Sequence, residues 1–107
     1  MNAWLLLLLA GLAEIGWVLG LKYSEGFTKP TASAVTVILL AISMSLLGWA
    51  TRTVPIGTAY AVWTGIGAVG AAIAGIIVFN ESAALLRIAC IVLIVAGVAG
   101  LKLSSPG

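Results

Sequence analysis

Apolar residues occur in four long runs along the chain, and short polar segments separate these runs. The runs cover roughly residues 3–21, 32–50, 55–79 and 84–103, each close to the ~20 residues that a transmembrane helix needs. The segments between them, KYSEGFTKPT, TRTVP and NESA, carry most of the charged and turn-forming residues. The pattern predicts an all-α integral membrane protein, with one membrane domain over residues 1–107 built as a four-transmembrane-helix bundle.

Composition supports this prediction and excludes several classes of function. Hydrophobic residues make up 63% of the chain and charged residues 7%, and the mean hydropathy is +1.27. The net charge of +2 comes from scattered basic residues, so we expect no nucleic-acid partner. The chain has no histidine and a single cysteine, Cys90, in an apolar run. We therefore expect no metal site, no cofactor and no enzymatic activity.

The basic residues do not favour either orientation in the membrane. With four spans, Arg52 and Lys102 fall on one side, and Lys22, Lys29 and Arg87 fall on the other. Because topology normally follows an excess of basic residues on the cytoplasmic side, this chain has almost no orientation bias. The charges leave two possibilities open. The chain could insert in one orientation, or it could insert in both directions and form a homodimer of two oppositely oriented copies.

Small residues recur on single faces of the third and fourth runs. On the third they are Gly67, Ala71 and Gly75; on the fourth, Cys90, Leu93 and Gly97 share a face with Gly100 beside them. Such faces allow close approach of another backbone, either between subunits or within one bundle. Since four helices enclose little hydrated space, we expect oligomerisation.

Glu14 lies in the middle of the first run, about 16 Å from its start at a rise of ~1.5 Å per residue. A charged carboxylate at that depth costs ~3 kcal/mol on insertion scales, so an acid within a span indicates a functional site. The structural alternative is a protonated glutamate that hydrogen-bonds a neighbouring helix.

Four other side chains are predicted to lie near the depth of Glu14. The same count places Ser43 and Trp63 almost level with it, Tyr60 one turn nearer the membrane face, and Trp17 one turn along the first helix. Aromatic faces attract cations when water is excluded, although core packing is the alternative role. Removal of a carboxylate from water favours its protonated form, so protons and a cation would compete for this site. Access from alternate sides would then give cation/proton antiport.

At these residues the chain resembles the small multidrug resistance family, and most closely its guanidinium-exporter subtype. The similar stretches are LKYSEGFTKPT, VPIGTAYAVWTGIGAVGAAIAGI, AGVAGLKLS and the EIGW that contains the acid. The resemblance covers almost the whole length. It implies an antiparallel, dual-topology homodimer in the bacterial inner membrane that exports guanidinium in exchange for protons.

The resemblance also implies roles for particular residues. Glu14 of each subunit would form the shared proton and guanidinium site, with Ser43 and Trp17 supporting the carboxylates by hydrogen bonds. Trp63 would lie beside them and Tyr60 would contact the substrate.

The remaining implied roles concern conformation and packing. The region from Gly65 to Gly67 would be the flexible point of the third helix, and the fourth helix, with Gly97, would form the dimer contact. Cys90 stands where the family often has a glycine in that contact, which departs from the family pattern.

Three other functions fit parts of the pattern. Export of quaternary ammonium drugs needs a broader aromatic site without hydrogen bonding to the cation. A rotor-type proton-binding subunit also buries one carboxylate per hairpin, but here only the first of four spans has one. An assembly protein would use Glu14 only to join helices.

Overall fold

Four α-helices form the part of the chain that the structure, a computed structural model, describes, residues 2–104. They are α1 (Ala3–Ser24), α2 (Pro30–Ala50), α3 (Ile56–Val78) and α4 (Leu85–Ser104). Each is long and apolar enough to cross a membrane. The predicted all-α membrane protein with four transmembrane helices is therefore confirmed. Residues 1 and 105–107 of the predicted domain lie outside the described residues.

The helix ends differ slightly from the ends of the apolar runs. Helix α1 continues to Ser24 rather than stopping at 21, because a helix that has left the hydrocarbon region can still complete its backbone hydrogen bonds. Helix α2 begins at Pro30 rather than 32, since proline suits a first turn, where its missing N–H needs no partner. Between them, Glu25, Gly26 and Phe27 have positive φ angles that reverse the chain.

Helix α1 lies at the centre of the bundle. It packs most extensively against α2 and next against α3, whereas the backbone of α4 approaches only α3 among the described helices. The buried apolar residues come from the first part of α1, the end of α2 with its following turn, and the start of α3. They are Leu6, Leu7, Ala10, Leu47, Ala50, Val54, Ala59, Val62 and Trp63. The core therefore lies toward one membrane face, where α1 and α3 begin and α2 ends.

Glycines on α1 allow the neighbouring helices to come close. A Cβ built on Gly11 would lie 2.7 Å from Cβ of Ile66 on α3, closer than real Cβ contacts. A Cβ on Gly20 would overlap the hydroxyl of Thr36 on α2. Interfaces between membrane helices depend on such close packing because lipid gives no hydrophobic driving force between them.

We expect Gly11→Ala to lower the free energy of unfolding by about 1–3 kcal/mol, because the added methyl group overpacks the contact with Ile66. The matched control is Gly48→Ala, since a Cβ on Gly48 meets nothing within 4 Å. Reversible denaturation in detergent, followed by helical circular dichroism, measures both. Equal stabilities of the two variants would contradict the close α1–α3 contact.

Candidate functional site

A chain of hydrogen bonds joins three helices inside the core. The indole Nε1 of Trp63 on α3 donates to the Ser43 hydroxyl on α2 at 2.8 Å. The Ser43 hydroxyl in turn donates to the backbone carbonyl of Ala10 on α1 at 2.7 Å. All three residues are buried, so each bond forms away from competing water. The link fixes the side chains of Ser43 and Trp63 and holds both neighbouring helices to α1.

The carboxylate of Glu14 packs against the backbone of α3. A Cβ built on Gly67 would overlap the Glu14 carboxyl group, including Oε1 and Cδ. Glu14 is only 8% exposed, and Oε1 is buried with no hydrogen-bond partner among residues 2–104. A buried oxygen acceptor of this kind is costly unless a proton or a donor occupies it. The absence of a side chain at Gly67 provides the space that the carboxylate fills.

The backbone positions of the residues in this region lie at two depths rather than one. At ~1.5 Å per residue, Ala10, Ser43 and Trp63 each lie about 10 Å from the end of their helix at the same membrane face. Glu14 and Gly67 both lie about 16 Å from that face. The prediction that Ser43 and Trp63 are level with Glu14 is therefore off by about one turn. At this face the helices end within one residue of the apolar runs, so the prediction erred by treating a separation of about one turn as level.

In the described chain, Ser43 bonds Ala10 and Trp63 rather than the carboxylate. The Trp17 indole N–H is buried and has no partner among the described residues. Because Trp17 follows Glu14 by three residues on α1, an unpaired donor and an unpaired acceptor lie on neighbouring positions of one helix. Support of the carboxylate by Ser43 and Trp17 stays a prediction.

Tyr60 and Trp63 form an aromatic pair at the edge of the core. Their ring centroids are 5.5 Å apart and the rings are tilted by 52°. Trp63 is buried, whereas Tyr60 is 56% exposed. Core packing within a single chain therefore accounts for Trp63 but leaves most of Tyr60 uncovered.

The three glycines predicted to act in conformation and packing have different surroundings. Gly67 faces Glu14 on α1, and Gly65 faces Val98 on α4. Gly97 meets nothing within 4 Å and is exposed on α4, as are Cys90, Leu93 and Gly100. The small-residue face of α3 is thus used inside the chain at Gly67, whereas that of α4 is uncovered. Helix α3 continues unbroken through Gly65 and Gly67.

The other two acids of the chain have cationic partners at the membrane surface. Glu25 pairs with Lys29 at 3.4 Å, and Glu81 pairs with Arg87 at 2.7 Å. Glu14 has no ion pair within residues 2–104. Among the described acids, Glu14 is therefore the one whose carboxyl group no basic side chain neutralises.

The sequence matches the family described as "Small Multidrug Resistance protein" over residues 2–94. It is also 56% identical over 103 residues to a protein named guanidinium exporter from Citrobacter freundii, covering 96% of this chain and 98% of the relative. The guanidinium exporter of Escherichia coli strain K12 is 55% identical over the same coverage. The chain belongs to the small multidrug resistance family.

Membership of this family agrees with the four apolar helices. The family match extends from the start of α1 into α4, so it includes every residue predicted for the site except Gly97. The protein is a multi-pass transporter of the bacterial inner membrane. The relatives are exporters rather than enzymes, in agreement with the prediction that this chain is not an enzyme.

The sequence analysis did not predict two contacts of this region, one at Ala10 and one at Gly67. The backbone carbonyl of Ala10 accepts from Ser43, and the backbone at Gly67 borders the carboxylate. A count of residues from the helix starts indicates that Gly67 and Glu14 share one depth, which was the available signal. The sequence did not indicate the acceptor of the Ser43 hydroxyl, because every residue of α1 has the same backbone carbonyl group.

We expect Gly67→Ala to lower the free energy of unfolding by about 1–3 kcal/mol, because the new methyl group occupies the space of the Glu14 carboxyl group. Gly57→Ala on the same helix is the control, since a Cβ there meets nothing within 4 Å. Reversible denaturation of the purified protein in detergent measures both stabilities. Equal stabilities of the two variants would show that the packing of the carboxylate does not depend on this space.

Ser43→Ala should destabilise the protein by about 1–3 kcal/mol, because the indole N–H of Trp63 then lacks its buried acceptor. Ser45→Ala is the matched control, since Ser45 is exposed and its hydroxyl donates to the Ala41 carbonyl of its own helix. Denaturation in detergent, monitored by tryptophan fluorescence, gives both values. An equal effect of the two substitutions would argue against the link between helices.

Proposed function

We propose that this protein exports guanidinium ion in exchange for protons, through a site that contains Glu14. The observation that carries the proposal is the buried Glu14 carboxylate, whose Oε1 has no partner among residues 2–104. The names of relatives at 55–56% identity, guanidinium exporters, support guanidinium as the substrate. The proposal combines a buried acceptor in the membrane with the cation in those names.

Guanidinium suits such a site chemically. The ion is planar and permanently charged, and its forked N–H groups bond a carboxylate in a bidentate manner. The buried Oε1 of Glu14 is an acceptor that these donors can satisfy. Trp17 has only a donor to offer, so we propose that it orients the carboxylate rather than binding the cation.

We further propose that the working unit is an antiparallel, dual-topology homodimer. Support comes from the α4 face of small residues, which nothing in the described chain covers, and from the exposed ring of Tyr60. The nearly equal numbers of basic residues at the two membrane faces would permit insertion in both directions. A second copy would bring a second Glu14 and a second Tyr60 to the site.

Two such carboxylates would titrate as a coupled pair, because each disfavours ionisation of the other. Binding of guanidinium would then release protons, and binding of protons would release guanidinium. If both carboxylates lose a proton for each monovalent cation bound, exchange moves net charge across the membrane. Gly65 and Gly67 would let α3 adjust as the site opens to each side in turn.

Export of quaternary ammonium ions is the second candidate, because the family description names multidrug resistance and Tyr60 with Trp63 offers aromatic surface. Those ions have no N–H group and would be held by cation–π attraction and by charge attraction to the carboxylate, without hydrogen bonds. They would leave the Glu14 oxygens without a hydrogen-bond donor. The unpartnered Oε1 therefore favours guanidinium.

Liposomes that contain the protein and have an acidic interior should accumulate guanidinium from an alkaline medium. Glu14→Gln should reduce this uptake to the level of empty liposomes, because a neutral amide neither binds the cation nor exchanges a proton. Glu25→Gln is the matched control, since Glu25 lies at the surface in an ion pair with Lys29, and it should retain most of the uptake.

Each other outcome assigns a different function. Full uptake by Glu14→Gln would mean that this acid only joins helices. Uptake of tetrapropylammonium without uptake of guanidinium would favour the second candidate. An uptake rate that does not respond to membrane potential would contradict the exchange of two protons for one cation.

A further inference from the structure

A groove of about 660 Å³ lies between α1, α3 and α4, on a side of the bundle that the proposed transport site does not use. It forms because the backbone of α4 approaches α3 and not α1. Its wall is apolar along most of its length, with Leu8 and Ile15 of α1, Val69 of α3, and Val95 and Ala99 of α4. Glu14 is not among the residues that line it.

One end of the groove carries a fixed positive charge. Lys102 lines this end together with Trp4, and the Lys102 ammonium lies 4.8 Å from the centre of the Trp4 ring. Lys102 forms no ion pair with any of residues 2–104. Tryptophan and lysine at the end of a span are typical of the interface between lipid headgroups and hydrocarbon.

Acidic side chains do not neutralise this end of the groove. Glu25 and Glu81 lie in the turns at the opposite membrane face, each with its own cationic partner. Arg52, in the turn after α2, is the other charged residue of the Lys102 face within residues 2–104. This face therefore attracts anions and repels organic cations, which argues against the groove as a cation pathway.

The depth of the groove matches one leaflet of a bilayer. Along α1 it extends from Trp4 to Ile15, about 16 Å at ~1.5 Å per residue. Half of a ~30 Å hydrocarbon core is about 15 Å. An acyl chain that runs from the headgroup level to the middle of the membrane would therefore fill it along its whole length.

The groove lies away from the face of α4 on which a second copy of the chain is proposed to pack. The groove side of α4 presents Val95, Val98 and Lys102, whereas the small-residue face with Cys90 and Gly97 points to the opposite side of the helix at 100° per residue. A partner seated on the small-residue face would leave the groove open to lipid.

We propose that the groove binds one anionic phospholipid, with its phosphate on Lys102 and an acyl chain packed between α1, α3 and α4. Charge at the mouth selects an anionic headgroup, and the apolar wall and its depth select a long chain. The proposal does not depend on which cation the protein transports.

The test uses the full-length protein in nanodiscs of phosphatidylcholine with added phosphatidylglycerol, analysed by native mass spectrometry. The expected result is retention of one phosphatidylglycerol per chain in preference to phosphatidylcholine. Lys102→Gln should weaken this retention about fivefold, the effect of one basic contact near a membrane surface. Lys102→Arg should keep it, and Ala99→Phe, which fills the groove, should remove it.

Arg52→Gln is the matched control, because Arg52 has the same charge at the same membrane face but does not line the groove. Equal loss in Arg52→Gln and Lys102→Gln would overturn the proposal in favour of general attraction to the surface. Equal retention of both lipids would overturn selection by charge. Loss of the dimer in Ala99→Phe, with no lipid retained by the unsubstituted protein, would assign the groove to a second copy instead.

Discussion

The contact between the Glu14 carboxylate and the backbone at Gly67 is the constraint on which the site depends. An acid can occupy the middle of α1 because α3 presents no side chain at that depth. The carboxylate is then removed from water, and Oε1 has no partner among residues 2–104. An isolated charge in such surroundings is strongly disfavoured, so the oxygen requires a proton or a cationic donor. The packing of two helices thereby defines what the site can bind.

The rest of the bundle keeps this contact in place while leaving the site accessible. The apolar core occupies the half of the membrane where α1 begins, and the bonds from Trp63 to Ser43 and from Ser43 to Ala10 close that core one turn from Glu14. Beyond Glu14, the described helices bury few side chains. A site at the border between a firmly packed half and a looser half suits the proposed opening on two sides, because the looser half can rearrange without breaking the core. Helix α4, whose backbone approaches only α3 among the described helices, is free to serve contacts outside the chain.

Hydropathy predicted the four helices, since spans of ~20 apolar residues have few other structures available to them in lipid. The position of Glu14 along α1 also followed from the sequence, because helix rise is nearly constant. The side of the bundle to which each side chain points could not be predicted from the sequence. Core-facing and lipid-facing positions of these helices are both apolar, so the sequence carries no polar stripe that marks how each helix is rotated. For this reason the prediction missed both the bond from the Ser43 hydroxyl to the Ala10 carbonyl and the groove beside α4.

The central claim is that a proton and guanidinium occupy Glu14 alternately. Infrared difference spectroscopy of the protein in lipid tests it most directly, because a protonated carboxyl group has a C=O stretch that the ionised form lacks. The band is assigned to this residue by its absence from Glu14→Gln. The account predicts that guanidinium, added at a pH where the band is present, removes it and releases protons to the medium. A band that persists unchanged at saturating guanidinium would contradict the account.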